Sequence, residues 1–141
     1  MVTVIAVILF SIFFSLSAIH FYWGFGGHWA LEVVFPVKSS NVKPKTPGLL
    51  PTFIVAIGLL AMGTFILIQA GLLTIQMPLW LNQNGLWVIA AIFITRCIGD
   101  FKYMGFFKKM RQTRFAQNDT RYYSPLCLAI GILTIIMELN R

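Results

Sequence analysis

Four predominantly apolar runs, about 2–23, 49–75, 85–107 and 124–139, take up most of this 141-residue chain. A hydrocarbon core about 30 Å thick is crossed by roughly 20 apolar residues in a helix. Each run reaches or approaches that length; the fourth is the shortest and needs an untilted crossing or a locally thinned bilayer. Lipid offers no partner for backbone N–H and C=O groups, so a run without period-2 alternation must close its hydrogen bonds within itself as a helix. The expected fold class is all-α, an integral membrane four-helix transmembrane bundle with short loops. Four crossings use nearly the whole chain, which predicts one transmembrane domain over 1–141. Composition agrees, with 58% hydrophobic and 11% charged residues, where an ordinary soluble domain carries about 25% charged.

Ser15-Leu16-Ser17-Ala18 resembles a small-residue cleavage site, but no Lys or Arg precedes the first apolar run, as the positive start of a signal peptide requires. The first run is expected to remain as a true span.

Four spans place the first and third loops on one side and both termini on the other. Residues 24–48 carry Lys38, Lys43 and Lys45, and residues 108–123 carry Lys108, Lys109, Arg111, Arg114 and Arg121. The middle loop, 76–84, carries no charge. Short loops rich in Lys and Arg stay cytoplasmic. The expected localisation is a cell membrane, crossed several times, with both termini outside and both basic loops inside. Anionic headgroups of that leaflet then explain the net charge of +7, at about 1 kcal/mol per basic residue. Membrane lipids are the expected partners. Nucleic acid is not, because no nucleic-acid motif accompanies the charge. Asn118-Asp119-Thr120 has the glycosylation pattern but falls on the cytoplasmic side, a chance match.

Gly24 to Trp29 permits a tight bend after the first run, with Trp23 and Trp29 suited to headgroup depth. Ala30 to Phe35 is expected to form a short interfacial helix ended by Pro36. The glycines there lack the Lys-Ser/Thr of a phosphate-binding loop. Cys97 and Cys127 stand singly on different spans, without the Cys-x-x-Cys pair of disulfide-forming membrane proteins, and read as small packing residues. His20 and His28 lie on one side and partly in a loop, which argues against a haem held between helices, and nothing has zinc or iron ligand spacing. No cofactor and no metal are expected.

The third run contains Arg96 and Asp100, ionisable groups that are costly at membrane depth and therefore mark function by default. If the helix starts at Gly85, Arg96 lies eleven residues in, roughly 16 Å deep at 1.5 Å per residue. A start near Leu79 would bring it closer to the cytoplasmic interface, where it can snorkel. The turn-prone Asn82-Gln83-Asn84-Gly85 favours the deeper start. Arginine at the bilayer centre costs about 2.5–3.5 kcal/mol on insertion scales, so a partner is needed. Asp100 at i+4 is the nearest in sequence, and Tyr103 at i+7 extends the same face. Such a pair either fixes helix packing or anchors a polar ligand. Topology brings His20, Tyr22 and Trp23 of the first run, and Tyr122 to Pro125 at the start of the fourth, to the same leaflet. His20 reads either as an interfacial hydrogen-bonding residue or as a ligand contact or proton carrier.

Three blocks carry a resemblance: His20-x-Tyr22-Trp23-x-x-Gly26-Gly27; Arg96-x-Ile98-Gly99-Asp100-Phe101-x-Tyr103-x-Gly105-Phe106-Phe107-Lys108; and Phe115-Ala116-x-x-Asp119-Thr120-x-x-Tyr123-Ser124-Pro125-Leu126-Cys127. Together the chain resembles a family of small bacterial integral membrane proteins labelled domain of unknown function 3995. The resemblance implies four helices in a bacterial membrane and no assigned activity, and it adds Asp119 and Tyr123 to the candidate site. The expected ligand-binding set is thus Arg96, Asp100, Tyr103, His20, Tyr22, Trp23, Tyr123 and Asp119. Three functions compete. One is binding or carriage of a small amphipathic ligand, lipid or isoprenoid-like, in the cytoplasmic half. The second is an intramembrane enzyme using His20, Asp100 or Tyr103 as acid or base with Arg96 stabilising negative charge. The third is an accessory subunit of a membrane complex.

Overall fold

A computed structural model describes residues 1–34, 48–99, 104–109 and 111–141. Its helices are α1 (Val2–Gly24), α2 (Leu31–Val34), α3 (Leu49–Gln69), α4 (Leu79–Ile98), α5 (Arg114–Asn118) and α6 (Ser124–Asn140), with a π-helical turn over Asp119–Tyr123. Helix α5, the π turn and α6 run on as one helix, Arg114–Asn140. Among the described residues, that helix, α1, α3 and α4 are the four long and apolar enough to cross a membrane. The described residues contain no strand, so the class is all-α and the protein is of the multi-pass membrane type.

Two apolar runs are cut differently from the hydropathy reading, at three ends. The second was expected to reach Ile75 but α3 stops at Gln69. Gly71 takes φ +74, and its N–H and that of Leu72 close on the carbonyls of Ile68 and Leu67, a left-handed helix stop that ignores the apolar residues beyond it. Helix α4 starts at Leu79, not Gly85, and ends at Ile98, not Phe107. The turn-prone Asn82 to Asn84 are helical because their polar groups find partners: the Asn84 amide donates to the Trp80 carbonyl and the Gln69 amide to the Asn82 carbonyl. Arg96 therefore occupies the last turn of α4, seventeen residues from its start and not eleven. The first and fourth runs differ by a single residue, at Gly24 and Asn140.

The described residues fall into two compact units: Met1–Gly27, Pro47–Ala90 and Ile132–Arg141 in one, His28–Thr46 and Ala91–Gly131 in the other. In the first unit α1 and α3 pack antiparallel. Gly24 meets the ring of Phe53 and Gly63 meets Phe13 and Phe10, the glycines letting the helices approach closely. Between those contacts the Ser17 hydroxyl donates to the Ala56 carbonyl at 2.7 Å. Ala6, Leu9, Phe13 and Ser17 recur every three or four residues along α1 and are buried, the interior face of that helix. At the end where α3 stops, Arg141 donates to the Gln69 side chain at 2.9 Å and pairs with Glu138 at 2.6 Å. The antiparallel pairing places the start of α1 at that end too.

Charge separates with the units. Residues 28–46 and 91–131 of the second unit carry ten of the eleven basic residues and three of the four acidic ones, while the first has only Arg141 and Glu138. In the second unit α2 lies against α5. Thr113 caps α5 by accepting the Ala116 N–H at 3.1 Å.

Candidate functional site

The end of α4 is held by a chain reversal. Gly99 stops the helix with φ +83, and Gly105 takes φ +86. The Gly99 N–H donates to the Thr95 carbonyl, and the Phe106 N–H donates back to the Cys97 carbonyl at 3.0 Å. The two glycine backbones touch: a Cβ on Gly99 would strike the Met104 carbonyl, and one on Gly105 the Ile98 carbonyl. Both positions thus need glycine for left-handed φ and for close approach. The reversal lays Gly105 and Lys108 beside Arg96.

Into that space the π turn delivers Asp119. Its carboxylate is fully buried and accepts from the Arg96 Nη2 at 3.0 Å, the Gly105 N–H at 2.7 Å and the Lys108 Nζ at 2.9 Å. Lys108 is itself 2% exposed and spends its remaining donors on the Gly105 carbonyl and the Thr120 hydroxyl. Arg111 Nε adds a long contact to the Lys108 carbonyl. One buried acid therefore joins the last turn of α4, the 104–109 segment and the α5–α6 junction. A π turn, which inserts an extra residue into a helix and recurs at functional sites, sets Asp119 in this register.

Within this cluster Asp119 and Lys108 are saturated. A carboxylate with three donors and no exposure is held ionised and makes a poor base; an ammonium with three acceptors makes a poor nucleophile. Arg96 differs. Its side chain is 28% exposed, Nη2 is committed to Asp119, and Nη1 is buried with no hydrogen-bond partner. Among the described residues two cations, Arg96 and Lys108, face one anion here, Asp119.

The remaining candidates are placed as follows. Tyr123 closes the π turn; its hydroxyl donates to the Val33 carbonyl at 3.1 Å and its ring lies 6.1 Å from that of Phe115, tying α2 to the α5–α6 helix. Asp100 and Tyr103, the expected i+4 partner and its neighbour, lie outside the described residues. His20, Tyr22 and Trp23 belong to the first unit. The His20 Nδ1 lies 2.7 Å from the Leu16 carbonyl, and an oxygen that can only accept assigns the proton to Nδ1. The His20 ring stands edge-on to Trp23, with centroids 5.1 Å apart, and the Tyr22 ring covers Gly27. Among the described residues no three His, Cys, Asp or Glu side chains gather as a metal site.

Sequence reasoning passed over Gly105, Lys108 and Thr120 as site members. Lys108 had been counted as a loop charge, and its place in the Gly105-Phe106-Phe107-Lys108 block was the available signal. Residues 13–134 match the family described as Protein of unknown function (DUF3995). The chain belongs to this family. The matched span takes in the whole Arg96–Lys108–Asp119 cluster. No curated protein and no solved structure matches the chain.

Proposed function

We propose that this family member binds a small anionic amphiphile, lipid or isoprenoid-like, at Arg96, in the cytoplasmic half of the membrane. The observation that supports this is the state of the guanidinium. Asp119 orients it through Nη2, while among the described residues Nη1 is buried with no hydrogen-bond partner and two cations share the one anion Asp119. A fixed cation at the end of a membrane helix suits a polar headgroup whose tail stays in lipid. Asp119 and Lys108 act as positioning residues, and Arg96 makes the contact. The concentration of basic residues in the second unit supports setting that end in the cytoplasm with both termini outside.

Native mass spectrometry of gently extracted protein tests the binding. The expected result is a specific anionic amphiphile on the natural chain, lost in Arg96→Leu protein that still accumulates. Only bulk lipid on both proteins would overturn the reading. Orientation has a separate test: a reporter active only in the periplasm, fused after Thr113, should be silent.

A further inference from the structure

Between α3 and α4 the chain combines two properties that neither water nor hydrocarbon satisfies alone. Residues 70–78 are not helical, and among the described residues the N–H groups of 73–77 donate no backbone hydrogen bond. Hydrocarbon offers such groups no partner, so this backbone cannot lie in the core of a bilayer. Its side chains are nevertheless those of a span. Leu72, Leu73, Ile75, Leu79 and Trp80 are 38–70% exposed, and no charged residue occurs over 46–95. Large apolar side chains exposed side by side mark a surface that something covers.

What covers it follows from the neighbours of the segment. It joins the last residue of one membrane-crossing helix, Gln69, to the first of another, Leu79, so both of its ends are held at the rim of the hydrocarbon. The headgroup region meets both requirements there. Water among the headgroups serves the backbone, while the acyl chains beside them take the leucines, the isoleucine and the indole ring, which favours that depth. We propose that residues 72–80 form an interfacial anchor whose apolar side chains dip into the adjoining leaflet between lipid headgroups. The partner is the lipid surface itself. A zwitterionic surface suffices, because the segment has no charge with which to select an anion. The exposed cations of 109–121 have that means of selection, so the two segments differ in the lipid they need. The anchor stands or falls independently of the amphiphile reading at Arg96.

The full chain is reconstituted in phosphatidylcholine vesicles whose lipid is brominated either near the ester end or near the methyl end of the acyl chains. The Trp80 signal is the difference between the fluorescence of the natural protein and that of Trp80→Phe. It should be quenched about twofold more strongly by the shallow bromines than by the deep ones, and amide hydrogen exchange over 73–77 should be fast. Ile75→Asp, at an exposed position, should lift the segment and lose most of that quenching while exchange within α3 stays unchanged. Stronger quenching by the deep bromines overturns the anchor, because the segment would then lie in hydrocarbon. Absent quenching with fast exchange overturns it in favour of a segment standing in water. Absent quenching with slow exchange overturns it in favour of a protein cover, either a second copy of this chain or another partner. Unchanged quenching in Ile75→Asp assigns the depth of Trp80 to α4 alone and also overturns the anchor. Quenching that appears only after phosphatidylglycerol is added overturns recognition of a neutral surface.

Discussion

Asp119→Asn tests whether a single carboxylate holds the second unit together. The natural side chain accepts from Arg96, Gly105 and Lys108 with two oxygens. Asparagine offers one oxygen and an NH2 group of the same size, so at least one of the three donors must face another donor. Lys108, whose side chain is 1% exposed, also loses its counter-ion and has no route to water. Removing one partner of a buried ion pair costs about 3–5 kcal/mol. Arg96 is 28% exposed and recovers part of its share by snorkelling to headgroups, which sets the expected loss near the lower end, about 3 kcal/mol. Lys108→Met keeps the stem and removes the ammonium, leaving Asp119 with its other two donors, for about 1–2 kcal/mol. With both changes the uncompensated lysine is gone, so the double variant should fall short of the sum by at least about 1 kcal/mol. Reversible unfolding in mixed micelles reads the totals. Thiol labelling of Cys97, which is 4% exposed, reads opening at the end of α4. An Asp119→Asn protein within about 0.5 kcal/mol of the natural one, or a strictly additive double variant, would refute the reasoning.

Gly105→Ala should destabilise by at least about 2 kcal/mol, since φ is left-handed and the new Cβ meets the Ile98 carbonyl; Gly58→Ala, where nothing lies within 4 Å, should be neutral or stabilising in the same unfolding measurement. Ser17→Ala removes the hydroxyl that bridges α1 to the Ala56 carbonyl and should cost about 0.6–1.7 kcal/mol, the range of such bonds between membrane helices. Tyr123→Phe frees the Val33 carbonyl, with a loss of about 1 kcal/mol. Its effect should be local: faster hydrogen exchange over 31–34, with α1 and α3 unaffected.

Hydropathy made the four helices legible and misplaced three of their ends. An apolar run records which residues tolerate lipid, whereas a helix stops where the backbone turns. Leu72, Leu73 and Ile75 continue the apolar run, yet α3 ends before them because Gly71 is left-handed. The same holds at Gly99, where the sequence run continued to Phe107 but α4 ended at Ile98. Misplacing the start of α4 also misplaced Arg96 along the helix, which holds it in its last turn. The partner of Arg96 was harder to read. Helical spacing nominates neighbours on one element, and so names Asp100, which lies outside the described residues; Asp119 is 23 positions away and arrives through the reversal at Gly99 and Gly105. No periodicity encodes that meeting, although two glycines six residues apart beside a basic and an acidic residue were its trace in the sequence.

The buried acid also changes how the basic residues should be counted. Positive-inside reasoning treats each loop Lys and Arg as an equal contributor to the field at the membrane surface. Lys108 is buried on Asp119 with all three donors spent, so it contributes to the junction and little to the surface. Lys109, Arg111, Arg114 and Arg121 are exposed, and on the proposed orientation they are the ones that would face anionic headgroups, at about 1 kcal/mol each. On that proposal, orientation and site draw on different cations of one short segment. Neutralising the exposed four should weaken the bias that orients the helices while leaving the hydrogen bonds of Asp119 intact; Lys108→Met should do the reverse. If Lys108→Met instead shifted topology as strongly as an exposed arginine does, its charge would be felt at the surface, and its assignment to the junction would fail.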